Sequence, residues 1–180
     1  MKYIIETQRF YLRELDNIDL EDMFELDSDP DVHLYIENQP VTSRKEILDV
    51  IAMIRKQYQD FGIARWAVID KDTLECVGWC GLKFITFQMN GRKNFHELGY
   101  RFKKKHWGKG IATETAKAVL DYGFSNLNLS EVFAITHLEN RNSMHVLQKI
   151  GFVKKAPFQD DNGHLNWFEL TKENWKKLNS

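Results

Sequence analysis

Between Phe95 and Phe124 the chain changes from a strand-like to a helical spacing of apolar residues, and it does so across two glycines, Gly108 and Gly110. Phe95 to Phe102 reads as a strand, and Gly110 to Phe124 as a helix with Ala112, Ala116, Val119 and Gly123 on one face. A helix N-terminus leaves about four backbone N–H groups without intrahelical partners and carries roughly half a positive charge. Glycine at 108 and 110 admits backbone angles, and a close approach of ligand to backbone, that a Cβ would forbid. The segment is therefore an anion cradle suited to a pyrophosphate, with Lys103, Lys104, Lys105 and Lys109 available to contact further phosphates. Taken alone, the same residues also read as a tight strand-to-helix turn with a solvated lysine face. Neither GxxxxGKS/T nor GxGxxG is present, so the nucleotide-triphosphate loop and the dinucleotide fingerprint do not apply.

The rest of the chain supplies a sheet and its covering helices. Residues 4 to 15 read as a strand. Asp19 is placed to cap a short helix through Leu26, which Ser28-Asp-Pro-Asp31 stops. Thr42-Ser-Arg-Lys-Glu46 opens a longer helix with Ile47, Val50, Ile51, Ile54 and Tyr58 on its apolar face, closed by Gly62. Strands follow at Arg65 to Ile69 and Cys76 to Phe87, with a hairpin signal at Met89-Asn-Gly-Arg-Lys93. After the 110–124 helix come a strand at Val132 to Thr136 and a helix from Asn142 to Ile150, ended by Gly151. A closing pair of strands is expected around Asp161-Asn-Gly163. The order implies a single α/β (α+β) domain over residues 1–180, with helices packed on a mixed sheet.

Composition removes several function classes. With 25 basic and 26 acidic side chains, a formal net charge of -1 gives no global field for nucleic acid or an anionic membrane. No run approaches the roughly 20 apolar residues of a membrane span, and the N-terminus lacks the apolar stretch of a signal peptide, so a cytoplasmic location is expected. Six scattered histidines and two cysteines offer no metal-ligand cluster, and no metal is expected. Cys76 and Cys80, four apart in one strand, are expected on the same face as ordinary buried thiols. Trp66, Trp79 and Trp167 read as core residues, with the acceptor groove described below as the alternative.

The stretch Glu97 to Phe124 resembles the acetyl-CoA-binding motif of the GNAT superfamily, Gln/Arg-x-x-Gly-x-Gly/Ala, whose positions match Trp107, Gly110 and Ala112. Trp107 departs from the usual first residue. Within Trp-Gly-Lys-Gly-x-Ala-Thr-Glu, a tryptophan there resembles the branch containing the bacterial ribosomal-protein N-terminal acetyltransferases. Asn140-Arg-Asn-Ser-Met-His-Val-Leu-Gln-Lys-Ile-Gly-Phe152 and the opening Glu6 to Arg13 are similar to two further blocks of that branch.

The resemblance implies a GNAT fold. It has a mixed, mostly antiparallel sheet of about six or seven strands with helices on both faces, and its strands are splayed at the cofactor site. It implies acetyl-CoA as cosubstrate, with pantetheine along the backbone of Tyr100, Arg101 and Phe102. The pyrophosphate would lie on Trp107, Gly108, Lys109, Gly110, Ile111, Ala112 and Thr113. Asn140 and Ser143 fall at the thiol end of CoA, where Ser143 is a candidate general acid; both also read as helix caps. Glu97 is the candidate general base, and otherwise a solvated strand glutamate. His137 and His145 lie near this region and read as structural.

The implied partner is a primary amine, from a protein N-terminus or a small molecule. A lysine-type amine of pKa about 10.4 costs roughly 4.6 kcal/mol to deprotonate at pH 7, an α-amine only about 1 to 1.4 kcal/mol. The acceptor groove is expected around Leu34 to Val41, Phe84 to Asn94 and Phe158 to Trp167. Direct attack in a ternary complex is expected, because no Ser/His/Asp or Cys/His set stands in a motif. A homodimer is compatible with the resemblance, and a non-catalytic CoA-binding module is the alternative function.

Overall fold

The structure is a computed structural model that describes residues 2–36, 38–160 and 163–179. The turn expected at Asp161-Asn162 lies outside the described residues.

The N-terminal strand is broken at Thr7 into β1 (Ile5–Glu6) and β2 (Phe10–Glu14). Helix α1 (Leu20–Asp27) follows. Asp19 does not cap it; its carboxylate instead takes the buried Arg13 guanidinium at 2.6 and 2.8 Å. A one-turn helix that the sequence reading did not anticipate, α2 (Pro30–His33), starts on the proline of the expected stop and is capped by Asp29. Helix α3 (Arg44–Phe61) has a complete capping box, Ser43 with Glu46, and ends on left-handed Gly62.

Strands β3 (Arg65–Asp70), β4 (Cys76–Ile85) and β5 (Phe95–Phe102) form an antiparallel meander. Asn90 and Gly91 both have positive φ between bonded Met89 and Arg92, the two-residue turn that the Asn-Gly pair favours. Helix α4 (Ile111–Ser125) leads to β6 (Glu131–His137), then α5 (Arg141–Lys149), β7 (Val153–Lys154), β8 (Phe158–Asp160), β9 (Gly163–Thr171) and α6 (Lys172–Leu178). Among the described residues the strands make one sheet of nine in the order β1-β2-β3-β4-β5-β6-β9-β7, with β8 on β9. The count exceeds the expected six or seven because β1, β7 and β8 span only two or three residues each. No helix among the described residues is long and apolar enough to cross a membrane.

Two apolar layers sandwich the sheet. On one face α4, α5 and α6 pack through Val119, Leu120, Phe124, Leu147 and Trp175 onto Leu12, Trp66, Cys80 and Leu82. On the other, α1 and α3 pack through Met23, Leu26, Ile47, Ile51 and Ile54 onto Ala67, Cys76 and Trp79. Cys76 and Cys80 thus lie on opposite faces, contrary to the expectation from spacing. The cause is a β-bulge: Val68 faces Gly78 while Ile69 faces Cys76, so Val77 is extra and the side-chain parity flips. Gly78 has φ 149°, and a Cβ there would stand 2.2 Å from the Arg101 carbonyl oxygen.

The sheet opens at one place. All its pairings are antiparallel except β5 with β6, whose pairing is confined to Glu97 opposite Phe133. Beyond that register, towards Phe102 and His137, the two strands have no ladder and leave a gap between them.

Candidate active site

The gap widens into a cleft of about 660 Å³, lined by Tyr100 and Phe102 of β5, the 107–113 segment, Ser143 of α5, and Val32 and Tyr35 opposite. Its base is set by backbone alternation along β5. The Lys103 N–H bonds the Val77 carbonyl on β4, while the Phe102 carbonyl points away from β4 and accepts the Trp107 indole N–H at 2.7 Å. By the same alternation the Tyr100 backbone faces the cleft and the Arg101 backbone faces β4, opposite Trp79. Tyr100 therefore offers a free peptide edge. The Phe102 carbonyl is already bonded by Trp107, and the Arg101 backbone is paired within the sheet. Trp107 thus closes the loop back onto the end of the strand.

The cradle is open. Gly108 and Gly110 have φ of 74° and 75°, and a Cβ at Gly108 would meet nothing within 4 Å. Glu114 makes the first backbone N–H bond of α4, to the Gly110 carbonyl at 3.0 Å. The N–H groups of Gly108, Lys109, Gly110, Ile111, Ala112 and Thr113 make no hydrogen bond among the described residues. Six unpaired donors at a helix N-terminus on the wall of a cleft suit the pyrophosphate of CoA.

The lysines divide. Lys103 is buried, with its ammonium bonded to Asp22, Glu25 and Glu75 at 2.7, 2.7 and 2.8 Å. Lys105 pairs with Glu25 and Glu75, and Lys104 with Asp31. Most of the basic run is thus neutralised at home and supports the fold. Lys109 is the member without an ion pair among the described residues. Asp22, Glu25 and Glu75 converge as a metal's ligands would, but the Lys103 ammonium occupies the point where they meet.

Arg9 is a neighbour that sequence reasoning missed. Its guanidinium donates to Glu114 at 2.7 Å and to the Lys109 carbonyl at 2.9 Å, tying the β1–β2 turn to the cradle. Its place in the Glu6 to Arg13 block, and Glu114 in the glycine block, were the available signals.

At the other end of the cleft, Asn140 caps α5 by accepting the Ser143 N–H at 3.1 Å. The Ser143 hydroxyl lies 3.0 Å from the Tyr100 hydroxyl, joining α5 to β5. Burial raises the Tyr100 phenol above its ordinary range, against the opposing bond from Ser143, so it stays protonated. The hydroxyl pair was not anticipated, because Tyr100 was assigned a main-chain role. His145 lines the cleft, and His137 accepts the Glu139 N–H and packs at a tilt against the Tyr35 ring.

Glu97 stands where β5 and β6 part, on the opposite face from Tyr100. It shares that face with its cross-strand partner Lys83 and with Arg101. Burial raises its carboxyl above the ordinary range, partly opposed by Arg65 and Lys83. It makes no hydrogen bond or ion pair among the described residues, which suits a base whose proton site must be free. Trp79 is core on this face; Trp66 and Trp167 are buried in the two other apolar clusters. Burial also pushes the Cys76 and Cys80 thiols up to about 12, so neither is poised as a nucleophile.

Known proteins resemble this chain in sequence and fold. The profile of the acetyltransferase (GNAT) domain matches residues 9–153. The chain is 35% identical to the uncharacterized N-acetyltransferase p20 of Bacillus licheniformis, over 86% of this chain and 84% of that protein. It is 30% identical to the spermidine N(1)-acetyltransferase of Escherichia coli (strain K12), over 78% and 71%. The spermidine N-acetyltransferase of Vibrio cholerae, solved in complex with CoA and spermine, superposes with a TM-score of 0.76 at 21% identity, over 93% of this chain and 98% of that one. The sheet that opens beside a glycine cradle is thus the sheet of an acetyl-transferring enzyme, and the chain belongs to the GNAT acetyltransferase family.

Proposed function

We propose that the protein transfers an acetyl group from acetyl-CoA to a primary amine by direct attack in a ternary complex. The observation that carries this reading is the row of six unpaired N–H groups from Gly108 to Thr113 on a cleft that ends at the Tyr100–Ser143 hydroxyl pair and the parting of β5 from β6. When bound there, acetyl-CoA supplies the activated acyl group. The 108–113 amides hold its pyrophosphate, and the free peptide edge of Tyr100 aligns the pantetheine arm.

Glu97 removes a proton from the incoming ammonium, directly or through water, so that the nitrogen can form the new amide bond. Its raised pKa makes it a stronger base than an ordinary carboxylate. As the C–S bond breaks, the thiolate departs towards the hydroxyls of Ser143 and Tyr100, and the second proton shed by the amide nitrogen converts it to the thiol. A thiol of reference pKa about 8.5 leaves with little assistance, so these groups donate hydrogen bonds rather than drive the step. Ser143 has no histidine or carboxylate partner among the described residues, and both thiols are buried, which favours direct transfer over an acyl-enzyme.

Both acceptors suggested by resemblance are primary amines: the α-amine of a protein N-terminus, from the ribosomal-protein branch, and the alkyl amine of the spermidine acetyltransferases. The test is thiol release from acetyl-CoA with peptides, amino acids and spermidine as acceptors. Amine-dependent release supports the reading. A folded protein that binds acetyl-CoA but releases no thiol with any of these amines would point to the non-catalytic module instead.

A further inference from the structure

The face of the sheet that carries Glu97 holds more positive than negative charge, and two of its cations have no ion pair or side-chain hydrogen bond among the described residues. Arg101 is neutralised by Asp27 at 2.5 Å, with His33 3.4 Å from the same carboxylate. The Arg65 guanidinium and the Lys83 ammonium make no hydrogen bond or ion pair among the described residues, although both residues are only partly exposed. Arg65 is held in place all the same. The Trp79 indole lies over Gly99, where a Cβ would stand 3.2 Å from the ring, and the Arg65 guanidinium sits 4.6 Å from its centroid. Stacking on an indole positions a guanidinium without neutralising it. Lys83 is the direct cross-strand partner of Glu97, and Arg65 pairs with Gly81, two residues before Lys83 on the same face. Cross-strand partners lie about 5 Å apart.

Glu97 attracts both cations without a hydrogen bond to either, and one carboxylate between two half-buried cations leaves a positive charge whose burial is costly unless something else neutralises it. Fixed cations of this kind, one of them a planar guanidinium, are what recognise a carboxylate. We propose that Arg65 and Lys83 form an anion subsite that takes a carboxylate borne by the acceptor, a few ångströms from the amine that Glu97 deprotonates. The acceptor is then an amine with a neighbouring carboxylate, either a free amino acid or the N-terminus of an acidic peptide. A polyamine would bring further cations to a face that already has an excess of them. This inference rests on the amine-acetylation reading above.

The test measures kcat/KM by thiol release for alanine, alaninamide, the dipeptides Ala-Asp and Ala-Lys, and spermidine. Alaninamide keeps the amine, with a lower pKa, and loses the carboxylate, so chemistry alone would favour it over alanine. The expected result is that alanine exceeds alaninamide, or Ala-Asp exceeds Ala-Lys, by at least about tenfold; which pair shows it tells the free amino acid from the acidic peptide. Lys83→Gln and Arg65→Gln should each remove about 10- to 100-fold of that preference, leaving acetyl-CoA affinity by calorimetry as in wild type. Lys83→Gln, in a more open position, covers the case in which Arg65→Gln fails to fold. Equal rates with and without the carboxylate, or a preference for spermidine that neither variant alters, would overturn the subsite while leaving the enzyme intact. Absence of transfer to every amine would overturn the enzyme reading and the subsite with it.

Discussion

The two faces of β5 are built from the same eight residues and do opposite things. On the α4 side, Tyr100 and Phe102 are aromatic, packed against α4 and α5, and hydrogen-bonded to neighbours that define the cleft. On the α3 side, Glu97 and Arg101 are charged and lie among Arg65, Lys83 and Asp27, with Glu97 unpaired. One strand can serve two substrates because alternate side chains leave opposite sides of the sheet, while the missing ladder to β6 opens the backbone between them. Damage to the α4 face should appear in acetyl-CoA binding, and damage to the α3 face in the acceptor.

The strongest break of the α4 face is Gly110→Asp. It forces a side chain onto φ 75° and sets a negative charge against the cradle. Strain and lost phosphate contacts together should weaken acetyl-CoA binding by about 4 kcal/mol, roughly a thousandfold. Isothermal titration of the folded variant checks this; an affinity within tenfold of wild type would remove the cradle from its assigned place.

Lys103→Met tests the end of β5, where the expected phosphate-binding lysine proved structural. Loss of its ammonium leaves Asp22 without an ion pair and Glu25 and Glu75 to the exposed Lys105 alone, at a cost of about 3 kcal/mol in denaturant unfolding. In the wild type, burial would raise Glu75, but bonds from Lys103 and Lys105 outweigh it and hold the carboxyl at about 2. A folded pKa below the unfolded one means that this stability is complete above about pH 4.5 and is lost as pH falls towards 2. The variant should begin to unfold at higher pH than wild type. Unchanged stability with weakened acetyl-CoA binding would return Lys103 to the phosphates.

On the α3 face, Glu97→Gln should lower kcat about a hundredfold with acetyl-CoA affinity intact. The wild-type rate should fall as pH drops through the raised Glu97 pKa, above the ordinary carboxylate range, and the variant should lose that acid limb. A retained limb would assign the base elsewhere. Ser143→Ala is the mildest change: one donor is removed from a leaving group that needs little help, so kcat should fall about fivefold, about 1 kcal/mol. A loss beyond a hundredfold would make Ser143 an obligatory acid.

How much of this was legible depended on how local the cause was. The bounds of β5, the Ser43–Glu46 capping box, the Asn90-Gly91 turn and the glycine cradle were readable, because each is set by residues within a few positions of one another. The faces of Cys76 and Cys80 were misread, because the bulge at Val77 exists only in the pairing of β4 with β3. Nothing in Lys103-Lys-Lys105 tells a phosphate-seeking lysine from one whose carboxylates stand at 22, 25 and 75. The Tyr100–Ser143 contact and the company of Arg65, Lys83 and Glu97 depend on cross-strand register and helix placement, which no single stretch encodes. The short α2 and α6 are capped by Asp29 and Thr171, but are too brief to show a periodicity.

The division between the faces is tested most directly by titrating acetyl-CoA, side by side, into wild type, Gly110→Asp and Glu97→Gln. Saturable binding that is equal in wild type and Glu97→Gln and lost in Gly110→Asp is the expected result. Equal binding by all three, or loss in Glu97→Gln alone, would contradict it and move the cofactor to the other side of β5.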